Sequence, residues 1–104
     1  MSYNWNIPKK LAKSEKLTWR EKLVVAVCLQ YYNAGFPNNA NRTNIKNALH
    51  FSRRTMDAAI NGLVRKNLLD NPTFDETTGI RLNHQELLNQ KLVTEKSYNK
   101  TPTE

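Results

Sequence analysis

The sequence predicts a mainly α-helical domain, three helices around one core, with a small β-hairpin and a further helix behind them. Three observations carry that prediction. Residues 43 to 69 have the pattern of a short helix, a tight turn and a longer helix. Ile45, Ala48 and Leu49 mark one apolar face, and Met56, Ala59, Ile60 and Leu63 a second at three- and four-residue spacing. Thr18 with Glu21 three residues on has the capping-box pattern that opens an earlier helix. After Leu69 the helical period is lost, and the extended stretches LLDNPTF and IRLNH flank a turn-rich DETTG.

Taken in order, residues 1–16 form a polar, basic N-terminal arm: an extended lead-in followed by a short basic turn or helix, with Tyr3, Trp5, Ile7 and Leu11 as anchors. Residues 17–84 form the main domain. Its first helix starts at Thr18 and places Trp19, Leu23, Val24, Val27, Cys28 and Tyr31 on an apolar face. It ends at Gly35, which suits the left-handed position past a helix end, and Pro37 prevents continuation. The polar loop FPNNANR leads to Thr43, which is expected to cap the second helix.

In the following turn, Ser52 offers a hydroxyl to the free amides of the next helix and Phe51 folds back as a hydrophobic staple. The third helix therefore starts near Arg53 and is expected to run to about Leu68. Gly62 inside it costs about 1 kcal/mol relative to alanine, which implies close approach of another backbone or a contact surface that tolerates no side chain. Asn67 is suited to a left-handed cap. In the hairpin, Pro72 confines the first strand to an edge or a late start, and Gly79 closes the far end. Residues 85–96 form a last helix with Leu87, Leu88, Leu92 and Val93 on one side, to finish the core or to pair two copies of the chain. Residues 97–104 form a polar, flexible tail.

A helix, a tight turn and a second helix that begins with two arginines is how a helix-turn-helix presents a recognition helix to the DNA major groove. The face of the third helix turned away from Met56 and Ile60 carries Arg54, Ala58, Asn61 and Arg65, spaced four, three and four apart in one stripe. Arginine pairs in bidentate fashion with guanine and asparagine with adenine, and a small residue such as Ala58 permits close approach or touches a thymine methyl. The plain alternative is a solvated polar face; the preceding helix and turn favour the nucleic-acid reading.

A chain of 104 residues with 38% hydrophobic content supports one domain and one core. The formal charge is +7, the isoelectric point is near 9.8, and a polyanionic partner is expected, although basic balance alone fits an anionic membrane surface equally well. The excess is uneven. Residues 1–34 hold six Lys and Arg against two acids, residues 35–70 again six against two, and residues 71–104 four against five. Phosphate contacts are therefore expected from the first two thirds. The longest apolar run, Leu23 to Leu29, is seven residues, against roughly 20 for a bilayer span, so a cytoplasmic protein with no membrane partner is expected. Cys28, the only cysteine, lies inside that run as a small core residue.

Catalysis has little support in the sequence. His50 and His84 have no Cys, Asp or Glu at ligand spacing, so no metal site is expected. There is no glycine-rich phosphate loop among 3 glycines, and no cofactor motif. Asp75 and Glu76, adjacent in a loop, are turn residues rather than a general acid and base.

From Phe36 and Pro37 through Thr43, Ile45, Ala48, Leu49, Ser52, Arg53, Arg54, Thr55, Met56, Ile60, Leu63, Leu68 and Leu69, the chain resembles the winged helix-turn-helix domains of phage and plasmid replication proteins and related small DNA-binding regulators. Ile7, Pro8 and Lys9, with Lys22, Leu23, Tyr31, Tyr32 and Asn33, fit the upstream part, so the resemblance covers roughly residues 7–84. His50 and Asn67 stand where that family usually has glycine. The resemblance implies that Arg53, Arg54, Thr55 and Asn61 face DNA. It also implies that Arg42, Thr43 and Lys46 lie near the backbone and that Arg81 of the wing reaches the minor groove; Ser52 of the turn is a further expected backbone contact. Asp75 and Glu76 in the same hairpin would suit a protein partner at the wing instead.

The function expected from these readings is sequence-specific binding of double-stranded DNA by a small, non-enzymatic transcription regulator of phage or plasmid type. Leu87, Leu88 and Leu92 are the candidate contact of a homodimer. The alternatives are a protein that binds a replication origin and takes part in DNA replication, and a winged-helix adaptor that binds protein without specific DNA recognition.

Overall fold

The structure is a computed structural model that describes residues 7–36, 39–69 and 79–94. Within them five helices follow in order: α1 (Lys9–Lys13), α2 (Trp19–Asn33), α3 (Arg42–Leu49), α4 (Arg53–Arg65) and α5 (His84–Asn89). The chain is mainly helical, as expected. The arm's short basic helix is α1, pinned by the fully buried Leu11. Tyr3, Trp5 and the tail beyond residue 94 lie outside the described residues.

The core is built around α2, which packs against α1, α3 and α4. Nine consecutive residues, Glu21 to Leu29, are buried, so this helix has no solvent face in its middle and the one-sided apolar stripe expected for it is too narrow. Trp19, expected on that stripe, is 56% exposed. The capping box is formed in full: Thr18 Oγ1 accepts from the Glu21 amide at 3.2 Å and the Thr18 amide donates to Glu21 Oε1 at 3.0 Å. Ile45, Leu49, Met56, Ile60 and Leu63 close the core from α3 and α4, and Phe51 packs against it as expected from the turn.

Two helix ends differ from expectation for identifiable reasons. Asn41, not Thr43, caps α3. Its extended backbone lets its side chain accept from the Asn44 amide at 2.8 Å, and the helix starts at Arg42. Helix α4 ends at Arg65, short of Leu68, because Asn67 turns left-handed at φ 62°. The amides of Leu68 and Asn67 then donate back to the carbonyls of Leu63 and Val64, the pair of hydrogen bonds of a Schellman end. Gly35 ends α2 at φ 88° with the same pair of bonds, Phe36 to Tyr31 and Gly35 to Tyr32.

The last helix is the clearest correction. It stops at Asn89 because Lys91 takes φ 59° and Leu92 donates back to Leu87. Leu87, Leu92 and Val93 are then buried in the chain's own core, and only Leu88 is exposed. The leucine stripe expected to pair two copies is therefore not a surface.

Of the expected hairpin, the described residues contain one antiparallel bridge, Leu69 to Leu82; residues 70–78, with Pro72, Asp75 and Glu76, lie outside them. The Ile80 amide donates to the Ala40 carbonyl and the Asn83 amide to the Leu68 carbonyl, both at 2.8 Å. The segment 80–82 thus runs between the loop before α3 and the residues after α4.

Candidate nucleic-acid interface

Helix α4 has two chemically distinct sides. Met56, Ala59, Ile60, Gly62 and Leu63 are buried, while Arg54, Ala58, Asn61 and Arg65 are all exposed. At 100° per residue those four fall within a sector of about 60°, opposite the core face. The stripe read from spacing is thus a solvent-facing surface. Val64, 36% exposed, lies beside it.

The start of the helix is fixed by Ser52, whose Oγ accepts from the Thr55 amide at 3.1 Å and donates to Thr55 Oγ1 at 2.9 Å. Ser52 and Thr55 are therefore engaged with each other. Thr55 is half-buried and Ser52 exposed. Arg53 is exposed and lies to the side of the stripe, its Nε 4.0 Å from Asp57 Oδ2.

Arg42 corrects the sequence reading. Its side chain is 5% exposed and its Nη1 donates to Asp57 Oδ1 at 2.7 Å. It ties the start of α3 to the middle of α4 and is spent on that contact, so it is not a free phosphate ligand. The same contact neutralises Asp57, the one acid of α4, beside a stripe that otherwise carries only positive charge. Thr43 is exposed on the first turn of α3, Lys46 is half-buried, and Arg81 is exposed between the buried Ile80 and Leu82.

On the opposite flank of the stripe, α4 touches the start of α2. A Cβ on Gly62 would overlap Glu21 Oε2 and come within 3.0 Å of Glu21 Cδ. The glycine thus makes room for a buried side-chain carboxylate, rather than for a backbone or a bare contact surface. Glu21 Oε1 also accepts from Lys66 Nζ at 2.6 Å. Next to it, Lys22 Nζ donates to the Ala12 carbonyl at 2.7 Å and sits 5.6 Å from the centre of the Trp19 ring.

Sequence reasoning missed Asp57, Glu21 and Lys66 as the groups that hold α4. The only signal for Asp57 was its place four residues after Arg53; nothing local marks the Glu21–Lys66 pair, 45 residues apart.

Among the described residues the remaining reactive groups are not gathered into a site. Burial pushes the Cys28 thiol up to about 12, so it is protonated at physiological pH. His84 lies against Tyr32 with ring centroids 4.4 Å apart, while His50 occupies the left-handed end of α3 at φ 57°. Among the described residues no group of three or more His, Cys, Asp or Glu could hold a metal ion, and no helix is long and apolar enough to cross a membrane. Comparison with family models, curated proteins and solved structures found no match for the chain.

Proposed function

We propose that the chain is a sequence-specific double-stranded DNA-binding protein of winged helix-turn-helix type that reads the major groove with α4, acting as a small transcription regulator of phage or plasmid type. The observation that carries this reading is the division of α4 into a face sealed against α2 and α3 and an outward stripe of Arg54, Ala58, Asn61 and Arg65. Arg54 and Arg65 supply bidentate donors for guanine, Asn61 the paired donor and acceptor for adenine, and Ala58 a low point for close approach. Thirteen residues at about 1.5 Å each give a rod of about 20 Å, enough to lie along a groove about 12 Å wide.

Lys46 and Thr43 on α3, with Arg53 at the side of α4, are placed in this reading at the flanking phosphates, and Arg81 at the wing. The return segment 80–82, held between Ala40 and Leu69, supports the winged arrangement. The charge of +7 supports association with a polyanion.

The test is selection from random duplexes followed by titration at several salt concentrations. A DNA reader enriches one sequence and loses affinity steeply as salt rises. Weak, unselective binding would instead mark an adaptor whose partner is another protein. Occupancy mapped on the parent replicon separates a promoter-proximal operator from a replication origin.

A further inference from the structure

We propose that the exposed side chains of α1 and of the first turn of α2 form a second contact surface for the same duplex, lying along the phosphates beside the segment that α4 reads. This rests on the DNA-reading assignment above. Lys9, Lys10, Lys13, Lys16, Trp19 and Arg20 are all exposed, and in that stretch Glu15 is the single exposed acid.

Their position follows from a chain of contacts. The Ala12 carbonyl at the end of α1 accepts from Lys22 on α2. The neighbouring Glu21 lies against Gly62 and pairs with Lys66 at the end of α4. At 100° per residue, Gly62 sits about 70° round the helix from the middle of the Arg54–Arg65 stripe, on its border with the core. The start of α2 therefore borders the stripe, with α1 packed behind it.

Two further features point to a polyanion. Helix α1 places Lys9 and Lys13 four residues apart and Lys10 and Lys13 three apart, with no acid in its first turn; like charges at those spacings oppose the helix until an anion meets them. Trp19, 56% exposed with the Lys22 ammonium 5.6 Å from its ring centre, carries an indole N–H, a donor suited to a phosphate oxygen.

The experiment compares the full chain with a Lys10→Gln, Lys13→Gln, Arg20→Gln variant on two duplexes carrying the selected sequence. One spans about three helical turns and the other about one. Affinity is measured by anisotropy over a salt series, and thermal unfolding checks that these exposed changes leave the fold intact. On the long duplex the variant should lose about 2–3 units of the log–log salt slope, since each phosphate contact contributes about 0.9, with base preference unchanged. On the short duplex, which ends before this surface, the two proteins should match. Equal slopes on the long duplex, with wild-type selectivity intact, would overturn this inference and leave the function standing. A wild-type chain that selects no sequence, and is indifferent to Arg54→Ala, overturns the function and this placement with it.

Discussion

Gly62→Ala tests the structure where sequence propensity and packing give opposite signs. In an exposed helix interior the change stabilises by about 1 kcal/mol. Here the added methyl would occupy the place of the Glu21 carboxylate, which is buried and receives both the Thr18 amide at 3.0 Å and Lys66 Nζ at 2.6 Å. To admit it, the carboxylate must swing away. Losing its half of the capping box costs about 1 kcal/mol. Losing the Lys66 contact costs about 1–2 kcal/mol more, less than a fully buried pair because Lys66 is 35% exposed. Set against the propensity gain, the net is a loss of about 1–2 kcal/mol, or about 5–15 °C in midpoint for a domain of this size. Urea and thermal unfolding followed by circular dichroism read it. In a Glu21→Ala background the obstruction is gone, and the same Gly62→Ala change should be stabilising by about 1 kcal/mol. If Gly62→Ala stabilised the otherwise unaltered chain, or had the same effect in both backgrounds, the seating of Glu21 on Gly62 would be wrong.

Arg54→Ala and Asn61→Ala should each cost about 1–3 kcal/mol at the selected DNA site and relax base preference, whereas Lys46→Ala should weaken all sequences alike and lower the salt slope by about 1; identical effects from all three, measured by competition anisotropy, would contradict the division between reading and anchoring. Arg42→Ala should lower folding stability by about 1–3 kcal/mol in denaturant titrations, because it removes the nearer of the two cations beside Asp57 and leaves only Arg53 at 4.0 Å, and an unchanged stability would contradict the part-buried pairing. His50→Gly should raise stability by about 0.5–1 kcal/mol, as relief of a left-handed non-glycine residue outweighs the added freedom of the unfolded chain. The Cys28 thiol keeps its proton up to about 12 in the folded chain but loses it near 9 once unfolded. Its contribution is therefore complete below pH 9 and falls by about 1.4 kcal/mol per unit as pH rises towards 12. Cys28→Ala should flatten that part of the stability profile.

What was legible in the sequence was local. Thr18 with Glu21, Ser52 before the twin arginines, and Asn67 at a helix end are each decided within a few residues, by side chains that reach nearby amides or tolerate a left-handed backbone. The α4 faces were legible because three- and four-residue spacing maps directly onto a cylinder. Lys91 was not legible, since lysine carries no preference for the left-handed region; the burial of Leu87 and Leu92 on either side of it imposes that conformation. Nor was the all-round burial of α2, which depends on three other helices reaching it from different directions. Arg42 and Thr43 show the limit at the site: both looked like polar residues at a helix start, and only the tertiary position of Asp57, 15 residues on, decides that Arg42 turns inward.

The two ion pairs that sequence reasoning missed bear on how α4 could read DNA at all. Base readout requires side chains held to within about 0.5 Å of a productive position, and a helix packed only through aliphatic contacts has some freedom to slide or roll. Helix α4 is tied on both flanks of its outward stripe, through Asp57 to Arg42 at the start of α3 and through Lys66 and Gly62 to Glu21 at the start of α2. Such pairs add little net stability over an apolar filling, because desolvation offsets their attraction, but their hydrogen bonds are directional and narrow the range of positions the helix can take. Their placement on the borders of the stripe, rather than in the middle of the core, is where a restraint on roll about the helix axis has the longest lever. In the proposed DNA-reading role, the polar contacts under the edges of α4 would set its aim, while Leu63 and Ile60 would set its depth.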